Sequence, residues 1–172
     1  MKSRTSDWFE IKIRYDKTQE DGNQKPVTEQ YVVDAFSFTE AEASITEEMS
    51  AYISGEFKVT GMKPAPYHEI FFSENAKDDK WYKAKLQFIT IDEKTEKEKR
   101  SNVNYLVQAA SLPGAVRNVE EVMGGTMIDY VISAISETLL MDVFEHRLGG
   151  QKAEADDKPE YEQAAEPTES EV

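Results

Sequence analysis

The feature that most constrains this chain is a repeat. The stretch from Tyr31 to Met49 returns from Tyr105 to Met123. At an offset of 74 positions, Tyr105, Val107, Ala109, Ser111, Ala115, Glu121 and Met123 reproduce Tyr31, Val33, Ala35, Ser37, Ala41, Glu47 and Met49 identically. Val32/Leu106, Phe38/Leu112 and Ile45/Val119 are conservative pairs. Further back, at an offset of 73, Trp81 and Tyr82 answer Trp8 and Phe9, and Lys85, Leu86 and Phe88 answer Lys12, Ile13 and Tyr15. Self-similarity at a period near 70 residues means one supersecondary unit built twice.

The unit reads strand–strand–helix–strand–strand. Residues 8–15 alternate, with Phe9, Ile11, Ile13 and Tyr15 on one side and Trp8, Glu10, Lys12 and Arg14 on the other, the period of a half-buried strand. Polar residues 16–27 read as a hairpin loop, and Thr28 to Phe36 as the second strand. Ser37 then caps a helix, with Glu40 placed to complete a capping box. Phe38, Ala41, Ile45, Met49 and Tyr52 form its packed stripe. A third strand runs through Phe57 and Val59, Pro64 and Pro66 break it, and Glu69 to Phe72 form a fourth. Residues 73–80 link the units. In the second copy Asp92 to Arg100 replaces the loop. The stretches 128–136 and 139–144 are ambiguous by themselves, and alignment to the first copy makes them strands. The expected fold class is α+β: an internal duplication of antiparallel sheets, each with one covering helix. The units span 7–73 and 80–146, packed as one compact domain, with a disordered acidic tail at 150–172.

Charge narrows the partners. The 172-residue chain carries a net charge of -14. Residues 151–172 hold eight acids and two lysines, so the body is acidic in its own right. Such a surface disfavours nucleic-acid backbones and anionic membranes. There is no cysteine, so disulfides and thiolate metal sites are excluded. No signal-peptide pattern opens the sequence, and no apolar run approaches the roughly 18 residues of a membrane span. The expectation is a cytoplasmic protein without membrane contact.

Trp8-Phe9, the Ser-Phe-Thr-Glu-Ala-Glu-Ala run at 37–43, Ile-Ser-Gly-Glu-Phe at 53–57, Phe71-Phe72-Ser73 and Tyr105-Leu-Val-Gln-Ala109 together resemble an uncharacterised family. Its members are small acidic proteins of Bacteroidetes and their phages, catalogued as a domain of unknown function with a Thr-Glu-Ala-Glu motif. The resemblance covers about residues 7–145. It implies a bacterial or phage source and a cytoplasmic setting. It carries no activity, cofactor or catalytic residue.

Most chemistry-bearing residues have a plain structural reading. His68 and His146 lie in no metal-ligand spacing and are read as surface histidines. Glu40, Glu42, Glu47 and Glu48 suit helix capping and a solvated face, as do Glu120 and Glu121. Gly124-Gly125-Thr126 follows its helix, which marks a helix stop rather than a phosphate loop. No nucleophile–base pairing is evident. No metal, cofactor or catalytic site is therefore expected.

One constellation is sharper. Both copies place a tryptophan and cations on the strand face opposite the apolar residues: Trp8, Lys12 and Arg14, then Trp81, Lys83 and Lys85. On an open sheet these groups form a candidate interaction face, of the kind that takes single-stranded nucleic acid or anionic ligands. In the competing reading the tryptophans fill the seam between copies and the cation stems cover apolar surface. The functional expectation is a non-enzymatic interaction or scaffold module that binds a protein partner or self-associates. The alternative is nucleic-acid-related. In one version the protein is an acidic DNA mimic. In the other it binds anionic ligands through the Trp/Lys face.

Overall fold

The computed structural model describes residues 1–145. His146 and the tail at 150–172 lie outside them. The first half contains β1 (Lys2–Arg4), β2 (Trp8–Thr18), β3 (Gln24–Asp34), α1 (Phe38–Tyr52), β4 (Phe57–Pro64) and β5 (Glu69–Phe72). The second contains β6 (Lys80–Ile91), β7 (Glu98–Ala109), α2 (Leu112–Gly124), β8 (Tyr130–Glu137) and β9 (Leu140–Phe144). The mixed α+β class and the position of each repeated element follow the sequence pattern.

The repeat extends to register. In the first sheet β2 lies between β3 and β4, both antiparallel, with a bulge that leaves Thr60 unpaired between the Lys12↔Gly61 and Ile13↔Val59 rungs. In the second, β6 lies between β7 and β8, and Ser133 is the extra residue between Lys85↔Ala134 and Leu86↔Ile132. A bulge at the same place in both ladders bends both outer strands alike.

The fourth strands depart from expectation. Two self-contained antiparallel sheets are not formed. The first sheet runs β4-β2-β3-β9 and the second β8-β6-β7-β5-β1. Each half thus lends its last strand to the sheet of the other, and that strand joins in parallel. The rungs correspond: Tyr31↔Asp142, Val32↔Val143 and Val33↔Phe144 in one sheet, Glu69↔Tyr105, Ile70↔Leu106 and Phe71↔Val107 in the other.

The local cause lies in the crossovers. After Pro64 the chain cannot fold into a tight hairpin, because Pro64 and Pro66 lack ladder donors and hold extended backbone. Ala65 N donates to Trp8 O at 2.8 Å, and three residues later His68 N donates to Asn104 O of β7 at 2.8 Å. The second crossover copies the departure with Thr138 N donating to Trp81 O at 2.9 Å. There the Thr138 hydroxyl also donates to Trp81 O and accepts from Leu140 N.

Two smaller differences concern the hairpins and the N-terminus. The arms of β2/β3 and β6/β7 reach further than the alternation predicts, to short turns with Gly22 at φ 84° and Glu96 at φ 57°. Their ends are exposed on both sides, Ile91 included, so the period-two burial signal fades although pairing continues. β1 was not foreseen. It is three polar residues, tied to β5 through Lys2↔Phe72 and Arg4↔Ile70.

Each helix covers one sheet face. Ala41, Ile45 and Met49 of α1 pack on Phe9, Ile11, Ile13, Tyr31 and Val33. Val119 and Met123 of α2 pack on Phe71, Leu86, Tyr105 and Val107, and Ala115 on Tyr82 and Ala109. Two residues expected in the α1 stripe, Phe38 and Tyr52, are exposed, though Phe38 still meets Phe9 edge-on at 5.1 Å. Both N-caps form: Ser37 Oγ accepts from Glu40 N and Ser111 Oγ from Gly114 N, each at 3.2 Å. Glu40 returns to Phe36 N, one residue before the cap, at 3.0 Å.

Candidate functional site

The sheet faces that point away from the helices begin in a common seam. Trp8, Val32, Leu140 and Val143 come from the first sheet, Ile70, Leu106 and Trp81 from the second, and Tyr67 from the crossover. Trp8 and Trp81 are each 3% exposed. Phe72 stands by both, 6.3 Å from the Trp8 ring and 5.5 Å edge-on to that of Trp81. The two tryptophans are therefore internal packing between repeats. They do not belong to an open binding face. Large apolar rings at the start of β2 and β6 gain more by meeting across the seam than by facing water. Trp8 Nε1 is buried and finds no acceptor among the described residues. Burial pushes the Tyr67 hydroxyl of the same seam up to about 12, with the charge of Glu10 adding to the effect.

The cations of the candidate face lie further along the same strands. Lys12 and Arg14 are exposed. Lys12 sits between Gln30 and Gly61, and Arg14 between Thr28 and Lys58. The Lys12 stem lies across Gly61 of β4, where an added Cβ would meet it in ordinary contact at 3.7 Å. A shallow 150 Å³ recess there is lined by Glu10, Lys12, Gly61, Met62 and Lys63. Lys63 pairs with Glu10 at 3.9 Å. A second, 460 Å³ recess holds Arg14 and Lys58 together with Asp16 and Glu56, so its charge is mixed. On the other sheet Lys83 is half-buried between Leu106 and Ser136, and Lys85 is exposed between Asn104 and Ala134. The structure thus separates the six residues into a buried aromatic pair and four cations divided over two sheets.

A polar cluster on the helix side of the first sheet escaped the sequence reading. The Glu29 carboxylate accepts from Tyr15 Oη at 2.8 Å and from Tyr31 Oη at 2.6 Å. Burial and this hydrogen bond push the Tyr15 hydroxyl up to about 12 and that of Tyr31 higher still. Tyr31 also stacks on Phe144 at 5.6 Å. The available signal was Glu29 itself, in phase with the core residues Tyr31 and Val33 on an alternating strand. A carboxylate on that side needs donors, and two tyrosines supply them. Among the described residues no group of three or more His, Asp and Glu is placed to hold a metal ion.

This geometry can be set against known families. One family's sequence pattern matches residues 7–146, a span that takes in Trp8 of the first repeat and the last exchanged strand, Leu140–Phe144. The chain belongs to the DUF4494 family. That family is described as a domain of unknown function. No curated protein and no solved structure matches the chain. The DUF4494 region therefore contains both repeats and both exchanged strands. No helix among the described residues is long and apolar enough to cross a membrane.

Proposed function

We propose that this DUF4494 protein is a non-enzymatic interaction module of a bacterial or phage process, binding a protein partner or a second copy of itself. One observation carries the reading. Large apolar side chains are exposed along the outer margin of the second sheet: Met127 and Ile128 before β8, Val131 within it, and Leu139 after it, the last 79% exposed. Scattered apolar residues are ordinary on a protein surface, but a series along one edge that no strand among the described residues pairs supports association.

The test combines sedimentation velocity of the full chain with affinity capture from its host's lysate. The expected result is self-association, or retention of a defined protein that exchanges with unlabelled bait. A chain that stays monomeric and retains nothing would end the reading.

A further inference from the structure

We propose that the β8 edge docks a second copy of this chain, β8 pairing antiparallel with β8 about a two-fold axis between Ser133 and Ala134. The inference rests on the interaction-module reading and names its partner.

The hydrogen-bond phase of β8 is fixed at both ends. Ile89 N donates to Asp129 O at 2.9 Å, and Thr138 N donates to Trp81 O at 2.9 Å. An antiparallel ladder alternates, and the bulge at Ser133 shifts the alternation by one. The backbone groups of Tyr130, Ile132, Ile135 and Glu137 therefore point away from β6, and no strand among the described residues takes them.

A two-fold copy fits that edge in one register. Ile132 falls opposite Ile135 of the second copy, and Tyr130 opposite Glu137. All four are outward-bonding positions, so each rung exchanges a pair of hydrogen bonds. Ile132 and Ile135 both lie on the helix side of their own sheet, so their side chains extend the apolar layer into the second copy. On the opposite face Val131 meets Ser136. No like charges oppose each other. Without the bulge, the outward positions would all share one parity and this register would be lost.

The equivalent edge of the first sheet shows the contrast. Paired with itself in the matching register, β4 would set Lys58 opposite Lys63 twice and would need an N–H that Pro64 lacks. Lysine and proline are the usual guards of an exposed edge. β8 carries neither: its sequence is Tyr-Val-Ile-Ser-Ala-Ile-Ser-Glu. The two repeats share a scaffold, and only the first edge is defended against its own copy. One eight-residue edge is small beside a standard interface of roughly 1,600 Å², so the dimer forms in a concentration-dependent way.

The test is sedimentation of the full chain together with amide exchange. The wild type is expected to dimerise, with the amides of Tyr130, Ile132, Ile135 and Glu137 gaining protection as dimer forms. The double variant Val131→Lys, Ser136→Lys reproduces the β4 guard at two exposed positions, and it should weaken the dimer by about tenfold or more at unchanged helix and strand content. The variant Val131→Lys, Ser136→Glu places opposite charges across the axis and should restore it. A wild-type dimer insensitive to both variants overturns the inference. So does protection of the four amides in a monomer, which would put another segment of the same chain on the edge. A monomer that still captures a host protein overturns the β8 inference alone, and a monomer that captures nothing ends the broader reading too.

Discussion

Tyr31 and Tyr105 occupy the same rung of the two sheets, yet their surroundings differ. Tyr31 shares the Glu29 carboxylate with Tyr15. At the matching places the second half has Val103 for Glu29 and Phe88 for Tyr15. There Tyr105 lies among Phe71, Phe88 and the His68 ring instead. The comparison shows what the repeat preserves. Strand and cap residues recur, and the bulge position and the backbone bond that opens each crossover recur with different side chains. Polar groups that tune one sheet do not, and neither does the charge on the outer edges.

The shared part gives the largest expected effect. Trp8→Ala and Trp81→Ala each empty a large volume from the seam and should each cost about 3–5 kcal/mol in denaturant unfolding. A phenylalanine series sharpens the test. Trp8 Nε1 is a buried donor without an acceptor among the described residues, so removing it relieves a desolvation cost. Trp8→Phe should destabilise less than Trp81→Phe, and equal losses would argue against that difference between the repeats.

The unshared part gives a smaller effect with its own pH dependence. Glu29→Val transplants the second half's residue into the first and leaves two tyrosine hydroxyls without their acceptor, a loss of roughly 1–3 kcal/mol. In the folded protein the Tyr15 hydroxyl titrates at about 12 rather than 10.0. A raised folded pKa means that its stabilisation is complete below pH 10 and is lost as pH rises from there through 12. Ultraviolet titration of tyrosine against unfolding midpoints checks this. In Glu29→Val, Tyr15 should ionise closer to its ordinary value and the alkaline loss should shrink.

The smallest effect concerns the exchanged strands. Asp142 faces Tyr31 where Glu69 faces Tyr105. Asp142 is exposed overall, but partial desolvation of its carboxyl pushes it up, a hydrogen bond from Val143 N lowers it, and the charge of Glu48 adds a smaller upward push. Its protonated form is thus favoured by folding, and its contribution to stability falls as pH rises through the folded pKa. Asp142→Asn should raise the neutral-pH midpoint slightly and flatten its dependence between mildly acid and neutral pH. Glu69 accepts a hydrogen bond from Ser3 Oγ, so Glu69→Gln should give no such gain.

Much of the architecture is legible in the sequence. The alternation of Phe9, Ile11 and Ile13 assigned the core side of β2, and Ser37 and Ser111 marked both helix starts. The repeat decided that 128–136 and 139–144 are strands, where periodicity alone favoured neither strand nor helix. The candidate site was less legible. Alternation put Trp8 with Lys12 and Arg14 on one face, which is correct, but a face says nothing about how much of its length is covered. The seam covers the tryptophan end and leaves the cation end to water. The Glu29 cluster needed a cross-strand partner, Tyr15, that lies 14 positions away and is invisible to local pattern.

The sequence by itself determined the repeated unit, its strand and helix order and its caps, because those follow from side-chain periodicity and local hydrogen bonding. Only the tertiary structure decided which sheet each fourth strand joins. The reason is physical. Glu69–Phe72 and Leu140–Phe144 are near-equivalent strands offered to near-equivalent edges, so pairing preference cannot separate staying from exchanging. The choice falls to the short crossovers and to the tryptophan seam that exchange closes, and both are properties of the whole molecule.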